Sequence, residues 1–403
     1  REAHAKALGL GVGLEGDAHA GHEEDLHPSG AIPAVVVHLC HRPCDLPKTN
    51  LSFMCPSHSS CKLFHAALCV LAFGVLAGCG DFRPPIDVSG VDLPATHREV
   101  NWMTVLDDLP KDKNRAKSLE HLRNAHPEFW QTWCEDILQL GPAEDTMTVD
   151  VLVQFTAQMA PMLAAIDTTS GAAAVLERES HALKEGLKRL QVIDPNAEVP
   201  DVIWMPSGFN FAVFPGTDWI GVGLDWFMGS DHPMHAELPP SKFPAFRLAR
   251  MRPDRLATDA LTGWVAVCQQ DRIPTAPRTV DMWLFWGQVL HTASRCLPDA
   301  TPAQLMNWSE EEWQWAVAHE RATWAEMQPQ ERMFSNAPRD VMRWFQEGPF
   351  TRVGRVPQGS PDRLGMFLGW RAIEAALEAH PEWNDADVLA WTDPQPILRA
   401  YRP

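Results

Sequence analysis

The feature that most restricts the fold is a change of period between residues 201 and 229. Asp201-Val202-Ile203-Trp204-Met205, Phe209 to Phe214 and Trp219-Ile220-Gly221-Val222-Gly223-Leu224 read as three short strands. Each is too short for a helix and is rich in β-branched and aromatic residues. Pro206-Ser207-Gly208 and Pro215-Gly216-Thr217-Asp218 supply turn residues between them. Gly221 and Gly223 mark places where a neighbouring group comes close. The spacing predicts an antiparallel meander over about residues 201–225.

Around this block the period is helical. Between Ser170 and Val192, Leu176, Leu183, Leu187 and Leu190 fall on one face, with most of the charge elsewhere. Helices are predicted at roughly 240–250, 252–269, 278–296, 309–327, 338–347, 362–380 and 385–393. Pro127 marks one helix start, and Ser309 with Glu312 forms a capping box at another. Trp313, Val317, Glu320 and Trp324 make a stripe read as core, as do Met366, Trp370, Ile373 and Leu377. The expected class is α+β: mostly helical with a small antiparallel sheet, one domain over residues 101–403. Residues 86–101 alternate apolar and polar side chains and read as extended.

A small sheet followed by a long helix is the layout of a zincin, a zinc peptidase. That chemistry needs His-Glu-x-x-His on a helix, so that two imidazoles share a metal and the Glu takes a proton from the bound water. The chain has no such motif. The helix in the right place carries Phe285-Trp286-Gly287-Gln288-Val289-Leu290-His291, and Thr323 stands where His319-Glu320 would need its second His. Trp286, His291 and Glu320 are thus degenerate metal-site positions, with no metal, cofactor or catalytic residue assigned. Gly-x-Ser-x-Gly elbows and phosphate loops are absent. Asp218, Asp225 and Asp231 lack the spacing of a dedicated calcium loop.

The first fifth of the chain, up to Cys79, reads as upstream frame and export signal. Residues 1–53 are read as upstream frame or disordered. Met54 then opens a signal-peptide pattern over 54–78. Lys62 is its basic flank, and Leu63–Gly78 is a 16-residue apolar stretch, too short for a comfortable membrane span. It ends Leu76-Ala77-Gly78-Cys79, which resembles a lipobox. Small residues admit the backbone to the signal peptidase, and the Cys79 thiol takes the lipid. Several acyl chains give lasting anchoring where one is marginal. Residues 79–100 are a linker and extended segment. Of nine cysteines only Cys134, Cys268 and Cys296 lie beyond Cys79, and an odd three shows no disulfide framework. Cys268 and Cys296 sit in apolar helical contexts and read as inert. The whole chain carries a formal charge of −18, which argues against nucleic acid as a partner. From Cys79 onward 29 basic face 45 acidic residues, so anchoring rests on the acyl group rather than on attraction to anionic lipid.

The meander carries a resemblance. Gly208-Phe209-Asn210-Phe211-Ala212-Val213-Phe214-Pro215, then Ile220 to Asp231, are similar to the gliding-motility lipoprotein GldB family of Bacteroidota. The likeness continues through Leu238-Pro239-Pro240, Phe243-Pro244, Arg250-Met251-Arg252-Pro253, Glu347-Gly348-Pro349-Phe350-Thr351, Ser360 to Gly365 with Gly369-Trp370, and Tyr401-Arg402-Pro403. It implies a periplasm-facing envelope lipoprotein of the gliding and type IX secretion machinery, with a distantly zincin-like fold whose metal motif has decayed. Trp286 stands where relatives often keep a Glu. The expected role is non-enzymatic: membrane contact through acylated Cys79 and contacts with envelope proteins through Trp219, Asp225, Trp226 and Phe227. A cryptic metallopeptidase and a glycan- or peptide-binding lipoprotein are the alternatives.

Overall fold

The computed structural model describes residues 83–403, apart from 110, 169–171 and 358. The signal peptide, the lipobox Leu76-Ala77-Gly78 and Cys79 lie outside the described residues, as do residues 1–53. Asp87–Pro403 belong to one unit.

The class is α+β, mostly helical with a four-stranded sheet. The strands are β1 (Glu99–Asn101), β2 (Asp201–Met205), β3 (Val213–Pro215) and β4 (Trp219–Gly223), in the order β1-β2-β4-β3. The sheet is mixed, not the antiparallel meander that spacing predicted. β1 runs parallel to β2 and β2 parallel to β4, with Ile203 opposite Gly221; only β3 is antiparallel to β4, with Phe214 opposite Gly221. From β2 through β3 to β4 the strand directions alternate as expected, but β4 has inserted between β2 and β3.

The cause lies in the connection after β2. Gly208 and Phe209 both adopt left-handed backbone, at φ 65° and 59°. Ser207 and Phe209 are tied to the Asp225 carboxylate, so the chain swings out of the sheet before β3. Two glycines let β4 take the central place. A Cβ on Gly221 would sit 2.8 Å from the Met205 methyl, and one on Gly223 would sit 2.2 Å from the Phe211 carbonyl oxygen. Pro215 falls on the edge strand, where its missing N–H costs no ladder bond.

One face of the sheet is covered by aromatic rings from the segment before it. Trp102, Phe129, Trp130 and Trp133 are buried with Ile203, Met205 and Trp219. Trp102 meets Phe129 edge-on at 4.6 Å and Trp133 at 5.1 Å, the favoured arrangement for ring quadrupoles. Helix Ala172–Ile193 buries Leu183, Leu187 and Leu190, as its period predicted, while Leu176 at the start of the same stripe is only partly buried.

The second half is built on two helices, Thr279–Cys296 and Leu364–Ala379. They cross where Gly287 meets Gly369. A Cβ on Gly369 would lie 2.2 Å from the Trp283 carbonyl oxygen, so the approach depends on glycine. Met366, Trp370, Ile373 and Leu377 are all buried, as their stripe implied. The 309–327 stripe is interrupted: one helix ends at Ala318, another starts at Glu320, and Val317 is exposed. His319 breaks the run by turning back onto its own helix, contacting the Trp315 carbonyl and stacking on the Trp315 ring at 4.1 Å. The Ser309–Glu312 capping box is present. Cys134 and Cys296 are buried thiols, while Cys268 is exposed on its helix, against the apolar context read from its neighbours.

Candidate functional site

Trp286, His291 and Glu320 do not meet. Trp286 is buried edge-on to Phe285, and Glu320 accepts from the Tyr401 hydroxyl at 2.8 Å and from Arg371 at 3.2 Å. His291 is fully buried between two carboxylates. Its Nδ1 lies 2.7 Å from Glu374 Oε1 and its Nε2 lies 3.1 Å from Asp385 Oδ1. Both contacts need an N–H on the ring, so the ring is an imidazolium with no lone pair to give a metal. Burial alone would push its pKa down. The charges and hydrogen bonds of Glu374 and Asp385 outweigh that and raise it to about 9. Arg295 holds Asp385 at 2.9 Å, and the Trp370 indole donates to Glu374 at 3.1 Å. This network spends its donors and acceptors internally, which is the pattern of a core strut.

Trp219, Asp225, Trp226 and Phe227 are also buried, at 3%, 0%, 8% and 2% exposure, so they do not form the exposed partner surface expected of them. Trp219 packs edge-on against Phe129 at 4.8 Å. Leu224–Phe227 form one tight turn that carries the other three inward. The Asp225 carboxylate accepts from Ser207 N–H, Ser207 Oγ and Phe209 N–H, the last at 2.5 Å. Burial pushes its carboxyl up to about 6 against these donors. Asp225 is therefore the lock of the β2–β3 connection.

A second charged cluster has a different character. It gathers segments distant in sequence: Arg247 and Arg250, then Glu347, then Asp362 and Arg363. Asp362 is fully buried and accepts from Trp308 Nε1 at 3.0 Å, Arg363 Nε at 3.1 Å, Gly348 N–H at 3.2 Å and Arg250 at 3.4 Å. Burial raises its pKa, but Arg363 and Arg250 win and hold it low. Arg250 also pairs with Glu312 at 3.5 Å. Arg363 takes left-handed backbone at φ 51° and donates to the Met306 carbonyl at 2.6 Å. Glu347 breaks the pattern. It is 9% exposed, and among the described residues neither of its carboxyl oxygens has a hydrogen-bond partner. Burial, then the Asp362 charge, push its pKa well above the usual carboxylate range, against the pull of three arginines.

Arg247 connects Glu347 to the turn after β4. Its guanidinium carbon lies 5.9 Å from the Trp226 ring centre and 5.6 Å from that of Phe243, and its charge acts on Glu347. Arg247 Nε and Trp226 Nε1 are likewise buried without hydrogen-bond partners among the described residues. Sequence reasoning missed Arg247, Glu347 and Asp362 as a group. For Glu347 and Asp362 the available signal was charge inside proline- and glycine-rich connectors, while Arg247 lies on the short helix Ala245–Leu248 and gave no such signal. Three of the segments quoted for the family resemblance, beginning at Arg250, Glu347 and Ser360, come together here.

A family model described as "Gliding motility protein GldB" matches residues 88–403. No curated protein and no solved structure matches the chain.

Proposed function

The chain belongs to the gliding motility protein GldB family, and we propose that it works in the cell envelope as a lipid-anchored, non-catalytic part of the gliding and secretion machinery. The family match over residues 88–403 is the observation that carries this reading. The state of His291 supports the non-catalytic half. The only histidine of the central helix is fully buried and donates from both nitrogens, so it serves neither as ligand nor as base. No helix among the described residues is long and apolar enough to cross a membrane. Attachment in this reading comes from acylated Cys79, and the body faces the periplasm and holds envelope proteins.

The test has two arms. In native cells Cys79→Ala is expected to move the protein from the membrane fraction to the soluble fraction; unchanged retention refutes acyl anchoring. Cross-linking in envelope fractions, followed by purification, is expected to recover gliding or secretion components with the acylated protein. Recovery of none of them, together with peptide hydrolysis that His291→Gln abolishes, overturns the non-catalytic reading in favour of a metallopeptidase.

A further inference from the structure

This fold holds two buried charge clusters of different completeness. Around His291 every facing group is paired. Around Arg247 three buried polar groups keep hydrogen-bonding capacity unspent: Trp226 Nε1–H, Arg247 Nε–H and the Glu347 carboxyl. An unsatisfied buried polar group costs about 1–3 kcal/mol, so three of them together call for a physical cause. They come from three separate segments, and Arg247 joins them. It lies over the Trp226 and Phe243 rings on one side and acts on Glu347 on the other. The group sits just below the surface: Arg247 is half-buried, and Lys242, whose carbonyl it also contacts, and Pro349 are exposed.

We propose that Trp226, Arg247 and Glu347 form a binding site for a carboxylate carried by a peptide, either its chain end or an acidic side chain.

Charge selects this class. Arg247, Arg250 and Arg363 face Glu347, Asp362 and the rim carboxylate Glu312, so the charges balance with every acid ionised and guanidiniums are in excess by one when Glu347 carries its proton. Glu312 pairs with Arg250 at the rim, and Arg255 pairs with Asp259 beside the cluster. Asp362 has its contacts filled and offers nothing to a ligand. A cationic ligand would meet three guanidiniums. A carboxylate instead accepts the two orphan N–H groups, an arrangement in which charge-assisted bonds are the strong ones. Burial and the Asp362 charge favour the protonated form of Glu347, and in that form it adds an O–H as the third donor, the use that a carboxylic acid with a raised pKa serves in other anion sites. Binding then requires the Glu347 proton. The site goes beyond the envelope role, which stands or falls on Cys79 and on cross-linking rather than on this ligand.

The experiment is calorimetric titration of the full chain with three capped peptides. Acetyl-Ala-Ala has a free chain end, acetyl-Asp-amide has only a side-chain carboxylate, and acetyl-Ala-Ala-amide has neither. At least one of the first two is expected to bind, at least tenfold more tightly than the third, and the tighter of them identifies the source. Trp226→Phe keeps the ring and removes one donor; Arg247→Gln removes another. Each is expected to weaken binding about tenfold, with the melting temperature checked alongside. Wild-type affinity is expected to fall as pH rises through the Glu347 titration. Glu347→Gln keeps an N–H donor at that position, so it should bind at low pH and lose the pH dependence. Equal binding of the fully amidated peptide, no binding by any of the three, or an unchanged pH slope in Glu347→Gln overturns the assignment.

Discussion

His291→Gln tests the reading of the central helix directly. In the unfolded chain the imidazole titrates near 6.5. In the fold, burial is outweighed by Glu374 and Asp385, and the ring titrates at about 9. Because the folded value is the higher one, the stabilisation is complete below pH 6.5 and is lost as pH rises through 9. The difference corresponds to about 3 kcal/mol. Asp385 has the opposite sign. Burial pushes its carboxyl up, but His291 and Arg295 hold it at about 2, so its contribution is present above pH 4 and lost as pH falls through 2. The cluster is therefore strongest between about pH 4 and 6.5. Gln presents one neutral amide to two carboxylates and leaves an uncompensated charge, a defect of about 3–5 kcal/mol. Urea unfolding from pH 5 to 10, followed by tryptophan fluorescence, measures both curves. At pH 6 the variant is expected to fall short by that amount, and the gap is expected to shrink by about 3 kcal/mol by pH 10. A gap that does not change with pH would show that the ring is not a cation. A wild-type unfolding midpoint that rises with added zinc and stops doing so in the variant would show that it is a ligand.

Other substitutions probe the frame around the two clusters. Gly369→Ala places a methyl 2.2 Å from the Trp283 carbonyl and is expected to cost about 3 kcal/mol in urea unfolding, since the obstacle is backbone and the helix pair must separate. Tyr401→Phe removes the hydroxyl that donates to Glu320 while Arg371 keeps its contact; a loss of about 1–2 kcal/mol is expected, and no change would show the bond to be idle. Asp225→Ala strands the Ser207 and Phe209 N–H groups and is expected to cost about 3 kcal/mol. It should also raise amide hydrogen exchange across 206–212 ahead of the sheet.

The parts of the fold legible in the sequence are those set by local chemistry. The Leu183–Leu190 stripe, the Met366–Leu377 stripe and the Ser309 cap depend only on side-chain period and on orphan N–H groups, and each stands as read. The first and third strand segments were also legible, because β-branched residues and turn residues mark their ends; the second, read as Phe209 to Phe214, is strand only over Val213–Pro215, because Phe209 is held in left-handed backbone by Asp225. Strand order was not. Nothing within 201–225 says that β4 will insert beside β2, since that choice rests on Asp225 reaching back to Ser207 and Phe209 and on the room left by Gly221 and Gly223. Burial of the tryptophans was misjudged for the same reason. Trp219 and Trp226 follow turn-rich segments that read as surface, yet their ring partners, Phe129 and Phe243, lie far away in sequence or across a loop.

His291 and Glu347 show why a charged residue's role is set by its surroundings rather than by its motif. His291 sits on the helix that a metal motif would occupy, and the sequence singled it out for that reason. Two carboxylates from other helices, Glu374 and Asp385, turn it into a fixed cation. Glu347 sits in a connector with no catalytic signature. Its neighbours Arg250 and Arg363 are already engaged by Asp362, so the partners that would have neutralised it are spent elsewhere. A buried carboxyl left in that position weakens the fold, and Gly348, next in the chain, gives its N–H to Asp362 instead. Both acids compete for the same donors, and Asp362 wins because Trp308, Arg363, Arg250 and Gly348 converge on it. What Asp362 secures for the frame it withholds from Glu347, and that imbalance leaves Glu347, Arg247 and Trp226 with free capacity under the surface.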